Sequence, residues 1–257
     1  MRERVTEAVI LMAGSGSRFS SGDKKRLKPL AQLRGRPLIS YTLDALVTAE
    51  IEIVHAVVGY QGAALRAALE PHVPGKIDIH WIDNPQWQLK NGVSALAAAP
   101  YVSGPFLLTM GDHLFEPYIV DLVLREAEPG RLNLAIDRKL DTIFDLDDAM
   151  KVRMQADRVV AIGKELAHYN AIDTGLFVCP TEFFAYLERA KIGGDCALAD
   201  GVRAMAEDGL VRGIDIGAAW WQDIDTPEMF ARAEKQLGSR HDRLAGAGSN
   251  RGHAAQD

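Results

Sequence analysis

Residues 11–30, LMAGSGSRFSSGDKKRLKPL, contain the residue types that bind phosphate groups. Glycine and serine alternate at residues 14–17, directly behind an apolar segment, so backbone N–H groups there can converge on an anion. Arg18 and Lys28 bring positive charge to the same loop. The stretch predicts a triphosphate cradle, and the alternative is a sharp turn followed by a solvated basic linker.

Two common nucleotide-binding motifs do not match this loop. Phe19 stands where the dinucleotide fingerprint has its third glycine, and no GKS or GKT follows as the Walker pattern requires. A clear acidic ribose-binding residue after a second strand is also missing, which disfavours a NAD-dependent dehydrogenase.

Two aspartate-containing stretches are candidates for a metal site. Asp112, in LLTMGDH, follows an apolar run, where a carboxylate can meet a phosphate-bound Mg²⁺. WWQDIDTPEMF supplies a second carboxylate, for which we prefer Asp225 and keep Asp223 in reserve. The alternatives are an ordinary turn at Asp112 and a helix start at Asp223 and Asp225.

The segment NPQWQLKNGVSALAAA places Asn91, Gly92 and Ser94 at the start of a predicted helix. Backbone donors and a hydroxyl at such a position can read the edge of a base. Asn-Gly is also a common turn dipeptide, so the residues alone leave both interpretations open.

No Ser-His-Asp or Cys-His arrangement indicates a protein nucleophile. The sequence offers positive charge, carboxylates and backbone donors instead, which are the parts that position and stabilise an in-line phosphoryl transfer. In such a transfer the attacking group can be a phosphate of a second substrate, the acceptor. That phosphate is already ionised at neutral pH, so no general base is needed to remove a proton from it.

Composition limits the class of protein. The 257 residues are 47% hydrophobic, which favours one large α/β domain, and the net charge of −6 with scattered basic residues argues against nucleic acid. Cys179 and Cys196 have no disulfide-scaffold or thiolate-metal spacing. No signal sequence and no apolar run of about 18–20 residues is present, so we expect a cytoplasmic protein without a membrane partner.

The elements that must position these residues alternate along the chain. Helical patterns separate the early strands, and this order predicts a mainly parallel mixed sheet covered on both faces, with ligands at the carboxyl ends of its strands. We expect one domain at residues 1–237 and a disordered tail at 238–257. The predicted strands are residues 7–12, 53–58, 77–82, 106–110, 132–136, 159–162 and 172–178.

The pattern L-x-A-G-x-G-x-R, nine residues, then K-P-L resembles the nucleotidyltransferases that activate phosphorylated sugars, alcohols and isoprenoid precursors. MGDH, AIDRKLDTIFDLDDAMKV, IGKEL, IDTGLFV and WQDIDTPE narrow the resemblance, over about residues 7–236, to CTP:inositol-1-phosphate and phosphonate cytidylyltransferases. It implies a three-layer α/β/α Rossmann-like fold and transfer of CMP from CTP to a small acceptor.

By this resemblance Arg18 and Lys28 are catalytic, and Asp112 with Asp225 holds Mg²⁺. The residues assigned to the nucleotide are Leu11, Ala13, Gly14, Ser15, Gly16, Ser17, Asn91, Gly92 and Ser94. The residues assigned to the acceptor are His113, Asp137, Arg138, Lys151, Asp173 and Thr174, with Lys164 as the alternative to Lys151.

The identity of the acceptor stays open at this point. Inositol 1-phosphate is preferred, and the alternatives are 2-hydroxyethylphosphonate, aminoethylphosphonate and phosphocholine. A non-catalytic nucleotide-binding regulator is the alternative of another class. Relatives of this kind are often fused to a membrane lipid-type transferase, so we expect a separate soluble partner enzyme, and a homodimer is a further open prediction.

Overall fold

The computed structural model describes residues 4–19 and 27–249, with side chains to residue 238. A sheet of nine strands, in the order β5-β4-β1-β6-β11-β8-β12-β10-β9, forms its centre, and β2–β3 and β7–β13 form two small two-stranded sheets. The strands are β1 (Glu7–Met12), β2 (Gln32–Leu33), β3 (Arg36–Pro37), β4 (Ile53–Val58), β5 (Asp78–Asp83), β6 (Phe106–Met110), β7 (His113–Phe115), β8 (Leu132–Asp137), β9 (Lys151–Gln155), β10 (Arg158–Gly163), β11 (Ala171–Cys179), β12 (Val211–Asp215) and β13 (Trp221–Asp223).

Helices cover both faces of the sheet. Helices α1, α2 and α4 pack on one face, and α3, α5 and α6 pack on the other. The helices are α1 (Leu38–Thr48), α2 (Gly62–Leu69), α3 (Asn91–Ala98), α4 (Pro117–Glu126), α5 (Phe183–Ala190), α6 (Leu198–Glu207) and α7 (Pro227–Ser249), with short 3-10 helices at Lys28–Leu30, Glu70–His72 and Leu140–Thr142.

Strand β1 shows why the chain forms three layers. All six of its residues are buried. Because successive side chains of a strand point to opposite faces, Val9 and Leu11 enter one core while Ala8, Ile10 and Met12 enter the other. A strand that is apolar on both faces needs a helical layer on each side, and the predicted α/β fold is confirmed.

The parallel half of the sheet brings three loops to one edge. Strand β1 pairs in parallel with β4 and β6, while β11 runs antiparallel between β6 and β8. The carboxyl ends of β1, β4 and β6 therefore lie side by side, as the alternating pattern predicts.

Some elements differ from the sequence prediction. β12 was not predicted, because VRGID carries only two apolar side chains and becomes a strand by pairing with β8. The predicted domain boundary at residue 237 lies inside α7, which extends to Ser249. Residues 250–257 of the predicted tail lie outside the described residues, so disorder there stays a prediction. Among the residues that the structure describes, no helix is long and apolar enough to span a membrane.

Candidate active site

The glycine-rich loop leaves β1 where the neighbouring strands also end. The N–H of Gly111 donates to the Leu11 carbonyl at 3.0 Å, and the N–H of Tyr60 donates to the Ala13 carbonyl at 2.9 Å. Gly16 has a φ of +60°, and a Cβ there would lie 3.2 Å from the Lys28 Cβ. Glycine is therefore needed both for the backbone conformation and for the close approach of Lys28.

Lys28 joins the two predicted carboxylate stretches. It begins a short 3-10 helix with Pro29 next to it, and its side chain is almost fully buried. Its Nζ lies 2.6 Å from Asp112 Oδ2 and 2.6 Å from Asp225 Oδ1. Burial alone would lower the pKa of Lys28, but the two carboxylates raise it above the ordinary value, so the ammonium stays charged.

Asp112 follows β6 in a turn that requires glycine, because a Cβ on Gly111 would lie 2.4 Å from Met12 Cγ. Burial would raise the pKa of Asp112, but Lys28 and His113 outweigh it and hold that pKa well below the usual range. The second carboxylate oxygen, Oδ1, lies 2.7 Å from His113 Nδ1. Asp112 is thus an ionised carboxylate between two basic side chains.

The structure separates the two candidate aspartates of WWQDIDTPEMF. Asp225 faces Lys28, and its other oxygen, Oδ2, lies 2.8 Å from Arg18 Nη2. Asp223 pairs with His113 across β13 and β7, and burial is the main cause that raises its pKa. Asp225, rather than Asp223, therefore shares a focus with Asp112.

Arg18 forms a fork at the edge of the site. Its Nη2 contacts Asp225 and its Nη1 donates to Asp148 Oδ2 at 2.7 Å. Asp148 lies in the segment AIDRKLDTIFDLDDAMKV, in which the sequence assigned no functional role to this residue, and its position beside Arg18 follows only from the fold.

Two cavities meet at these charged groups. A cavity of about 260 Å³ lies against the glycine-rich loop, and a larger one of about 620 Å³ extends over β8 and β11. Both are lined by Arg18, Asp112 and Asp225, and Lys28 lines the smaller one. This geometry suits two ligands that react where the cavities join.

Three of the predicted acceptor residues line the larger cavity: His113, Asp137 and Asp173. Burial raises the pKa of Asp173 to about 6, although the N–H of Gly175 donates to its Oδ1 at 2.7 Å. Gly175 has a φ of +77°, and a Cβ there would lie 2.5 Å from the His113 ring. The irregular pairing of β11 at these residues thus makes room for His113.

The other predicted acceptor residues make contacts within the protein. Arg138 pairs with Asp215 at 3.3 Å, the Thr174 hydroxyl donates to the Ala135 carbonyl at 2.9 Å, and Lys151 Nζ donates to two backbone carbonyls. None of these three lines either cavity among the residues that the structure describes, whereas Lys164 lines the larger one.

The predicted base-reading residues also serve the fold. The Asn91 side chain lines the larger cavity, and its Oδ1 accepts from the Leu198 N–H at 2.9 Å. Ser94 is buried and accepts from Asn84 at 3.0 Å. A Cβ on Gly92 would lie 2.6 Å from the Cys196 carbonyl oxygen, so Gly92 permits a close approach of α3 to the segment before α6. Contacts of Asn91, Gly92 and Ser94 with a base stay predictions.

Sequence reasoning missed a group of hydrogen-bonded side chains beside the larger cavity. Trp221 Nε1 donates to Asp137 Oδ2 at 2.9 Å, and Lys139 Nζ donates to Asp137 Oδ1 at 2.8 Å. The Trp221 ring also stacks on the His113 ring, with centroids 6.3 Å apart. Nothing in the local sequence distinguishes Trp221 from its neighbour Trp220, so no signal could have found it.

The donor set fits a hard divalent cation. Asp112 and Asp225 direct one carboxylate oxygen each at the same point, where the Lys28 ammonium lies. The described residues contain no group of three or more His, Cys, Asp or Glu side chains that could hold a metal alone. Two carboxylates completed by substrate phosphates are the arrangement in which Mg²⁺ commonly binds.

Comparison with known proteins connects this geometry to named relatives. The chain is 31% identical over 233 residues to a bifunctional IPC transferase and DIPP synthase of Rubrobacter xylanophilus, covering 90% of this chain and 51% of the relative. It is 30% identical over 185 residues to a 2-aminoethylphosphonate cytidylyltransferase of Lancefieldella rimae, covering 65% of this chain and 68% of that protein. The chain thus spans about half the length of the bifunctional relatives it matches.

A solved structure and a family model agree with these matches. The inositol-1-phosphate CTP transferase of T. maritima superposes with a TM-score of 0.77 at 28% identity, over 89% of this chain and 93% of that one. Residues 8–143, which hold the glycine-rich loop and Asp112, match the model of a MobA-like NTP transferase domain. The chain therefore belongs to the family of MobA-like NTP transferase domains.

Proposed function

We propose that this chain is a cytidylyltransferase that moves CMP from CTP to the phosphate of a small acceptor, with inositol 1-phosphate as the acceptor. The observation that carries the proposal is the Lys28 ammonium, which lies between Asp112 and Asp225 where two cavities join. The names of the relatives that match most of this chain support the choice of nucleotide and acceptor.

The reaction that fits the site is an in-line displacement. A phosphate oxygen of the acceptor attacks the α-phosphorus of CTP, the bond from that phosphorus to the β-phosphate oxygen breaks, and pyrophosphate leaves. The smaller cavity beside residues 14–17 holds the triphosphate, and Arg18 and Lys28 offset the negative charge that develops. Because the attacking oxygen is already ionised, no side chain has to remove a proton.

Mg²⁺ is the cofactor that the carboxylates would hold, on Asp112 and Asp225. When bound, it would neutralise phosphate charge at the reacting centre. Asp225→Asn should raise the Mg²⁺ concentration for half-maximal activity more than Asp223→Asn does, since Asp225 shares a focus with Asp112. Equal effects of the two variants in a Mg²⁺ titration would contradict this assignment.

A phosphonate is the second candidate acceptor, because the chain also matches a 2-aminoethylphosphonate cytidylyltransferase. A phosphonate presents the same kind of ionised oxygens to the α-phosphorus as a phosphate does. The side chains that face the larger cavity must therefore distinguish the two acceptors by the rest of the molecule. Asp137, Asp173 and His113 there suit hydroxyl groups as hydrogen-bond partners, which favours a polyol phosphate.

The deciding experiment is a matrix of pyrophosphate release. Four nucleoside triphosphates are tested with Mg²⁺ against inositol 1-phosphate, 2-aminoethylphosphonate, 2-hydroxyethylphosphonate and phosphocholine. CTP with inositol 1-phosphate should give the highest kcat/KM. If the chain binds CTP but no combination gives acceptor-dependent pyrophosphate release, the chain is a nucleotide-binding regulator and not an enzyme.

A cytoplasmic location and a homodimer belong to the proposal as well. Cys179 and Cys196 are both buried free thiols, which agrees with a reducing compartment. Sedimentation of the purified chain tests the homodimer, and a monomer at micromolar concentration would contradict it.

A further inference from the structure

Asp148 lies between two cations of the larger cavity. Its Oδ2 accepts from Arg18 Nη1 at 2.7 Å, and its Oδ1 forms a short ion pair with Lys164 Nζ. The Lys164 ion pair is the main cause that lowers the pKa of Asp148, so the carboxylate is ionised at neutral pH. One carboxylate thus engages both Arg18 and Lys164, with one oxygen on each.

The segment that carries Asp148 is tied to the domain at several points. It connects β8 to β9, and Lys151 Nζ donates to the carbonyl of Asp147 at 3.0 Å. The Arg232 guanidinium lies over the Phe144 ring, 5.1 Å from its centroid. These contacts from β9 and α7 hold the segment against the cavity, so Asp148 is directed at Arg18 by the fold rather than by chance encounter.

The contacts of Asp148 have the chemistry of a bound phosphate. Two anionic oxygens, each on one cation, are what a phosphate monoester would place at the same two side chains. Asp148 lines the larger cavity and not the smaller one, so it occupies the acceptor side and leaves the glycine-rich loop open.

The strength of these ion pairs suits a reversible contact. The side chains of Arg18, Asp148 and Lys164 are 59%, 41% and 44% exposed, and ion pairs this exposed contribute little to stability. A phosphate dianion carries more charge than one carboxylate, so it can displace Asp148 from both cations.

We propose that Asp148 is an intramolecular competitor for the acceptor's phosphate: it holds Arg18 and Lys164 until the acceptor displaces it. This inference rests on the proposed function, because it takes the larger cavity as the acceptor site. Asp148 therefore weakens acceptor binding without taking part in bond making or breaking.

Two asparagine variants test the competition. Asp148→Asn removes the charge that contacts Arg18 and Lys164, whereas Asp147→Asn removes the same charge from the adjacent exposed residue, which lines neither cavity. For an exposed pair of ion pairs, the KM for inositol 1-phosphate should fall about three- to tenfold in Asp148→Asn and stay at the wild-type value in Asp147→Asn. The difference should shrink at high salt, because screening weakens the ion pairs.

The outcomes separate this inference from the proposed function. An unchanged or higher acceptor KM in Asp148→Asn, with normal pyrophosphate release, overturns the inference and leaves the proposed function intact. If no variant releases pyrophosphate, the proposed function fails, and calorimetric titration with inorganic phosphate still decides the competition. Tighter phosphate binding by Asp148→Asn than by Asp147→Asn supports the inference, and equal binding overturns it.

Discussion

At the scale of single residues, the site depends on one buried lysine that neutralises two carboxylates. Lys28 is buried between Asp112 and Asp225, which are themselves far from it along the chain. Taking these charges out of water is costly, and their mutual contacts offset that cost only while all three are present. The cluster is therefore sensitive to the loss of any one member, and Lys28 is the member that both carboxylates share.

Lys28→Ala should lower kcat by about 10²–10³-fold, because one fixed charge that stabilises the developing phosphate charge is lost. Arg18 still contacts Asp225 and His113 still contacts Asp112, so each carboxylate keeps a basic partner. The measurement is steady-state pyrophosphate release with far-ultraviolet circular dichroism as a check of folding. Lys76→Ala, at an exposed lysine, is the control. Near-normal turnover in a folded Lys28→Ala protein would remove Lys28 from the mechanism.

Asp173 predicts a pH dependence of stability. Its pKa is raised from 3.8 to about 6 by burial, because the buried site disfavours the ionised carboxylate. The neutral carboxyl group is therefore fully compatible with the fold below pH 3.8, and that stability is lost as the pH rises through 6 and the group ionises. Asp173→Asn, which stays neutral, should therefore be more stable than wild type at neutral pH by roughly 1–2 kcal/mol, with solvent in the cavity reducing the full effect. The two proteins should be alike near pH 4.

Urea unfolding of both proteins at several pH values measures this difference. The comparison at each pH cancels the titration of the remaining groups. A constant difference between Asp173→Asn and wild type from acid to neutral pH would show that burial does not perturb this carboxyl.

At the scale of elements, the irregularity within β11 shapes the larger cavity. The strand pairs regularly with β8 on either side of an irregularity between Asp173 and Phe177. Gly175 lies in that irregularity with a positive φ and leaves space for the His113 ring. His113 in turn contacts Asp112, so the shape of β11 is transmitted to the carboxylate beside Lys28.

Gly175→Ala should both destabilise the protein and impair catalysis. The alanine would be strained at a φ of +77°, and its Cβ would lie 2.5 Å from the His113 ring, so His113 must move away. We expect a loss of about 2–4 kcal/mol in the free energy of unfolding, and a lower kcat.

Gly130→Ala is the matched control for this variant. Gly130 has a similar φ of +73°, but no atom lies within 4 Å of the added Cβ. It should show the backbone penalty alone, of about 1 kcal/mol, with normal activity. If both variants lose the same stability and the same activity, the contact of Gly175 with His113 has no role at the site.

At the scale of the whole molecule, the site couples distant parts of the chain. Strand β13 pairs with β7 in a small layer outside the main sheet, and α7 packs there through Phe230 and Ala233. The N–H of Ile224 also donates to the Asp112 carbonyl at 3.0 Å. The C-terminal part of the domain is therefore fixed to the strand ends that carry the glycine-rich loop.

Binding of CTP with Mg²⁺ should stabilise the whole domain in a single transition. At a ligand concentration about 100 times the Kd, the free energy of unfolding should rise by about 2.7 kcal/mol. Cytidine without phosphates should give a much smaller rise, since the proposed cradle reads phosphate. Scanning calorimetry measures both, and an equal effect of cytidine and CTP would contradict the assignment of the glycine-rich loop.

Much of this arrangement followed from local patterns. Apolar runs separated by helical patterns predicted the α/β fold, and the rule that parallel strands end at one edge placed the glycine-rich loop near Asp112. The same patterns favoured Asp225 but kept Asp223 in reserve, because Asp223 ends the short strand β13, Asp225 follows it, and the two differ mainly in what they contact. They also gave no signal for β12, which exists through its partner β8.

The sequence by itself determined which residue types could bind phosphate and a cation, and that they follow strands. Only the tertiary structure decided that Lys28 lies between Asp112 and Asp225, that Thr174 bonds inside the sheet, and that Asp148 faces Arg18. The physical reason is range. Strand periodicity and turn chemistry act over a few neighbouring residues, whereas the partner of a charged side chain is set by chain crossings that bring residues together across the fold.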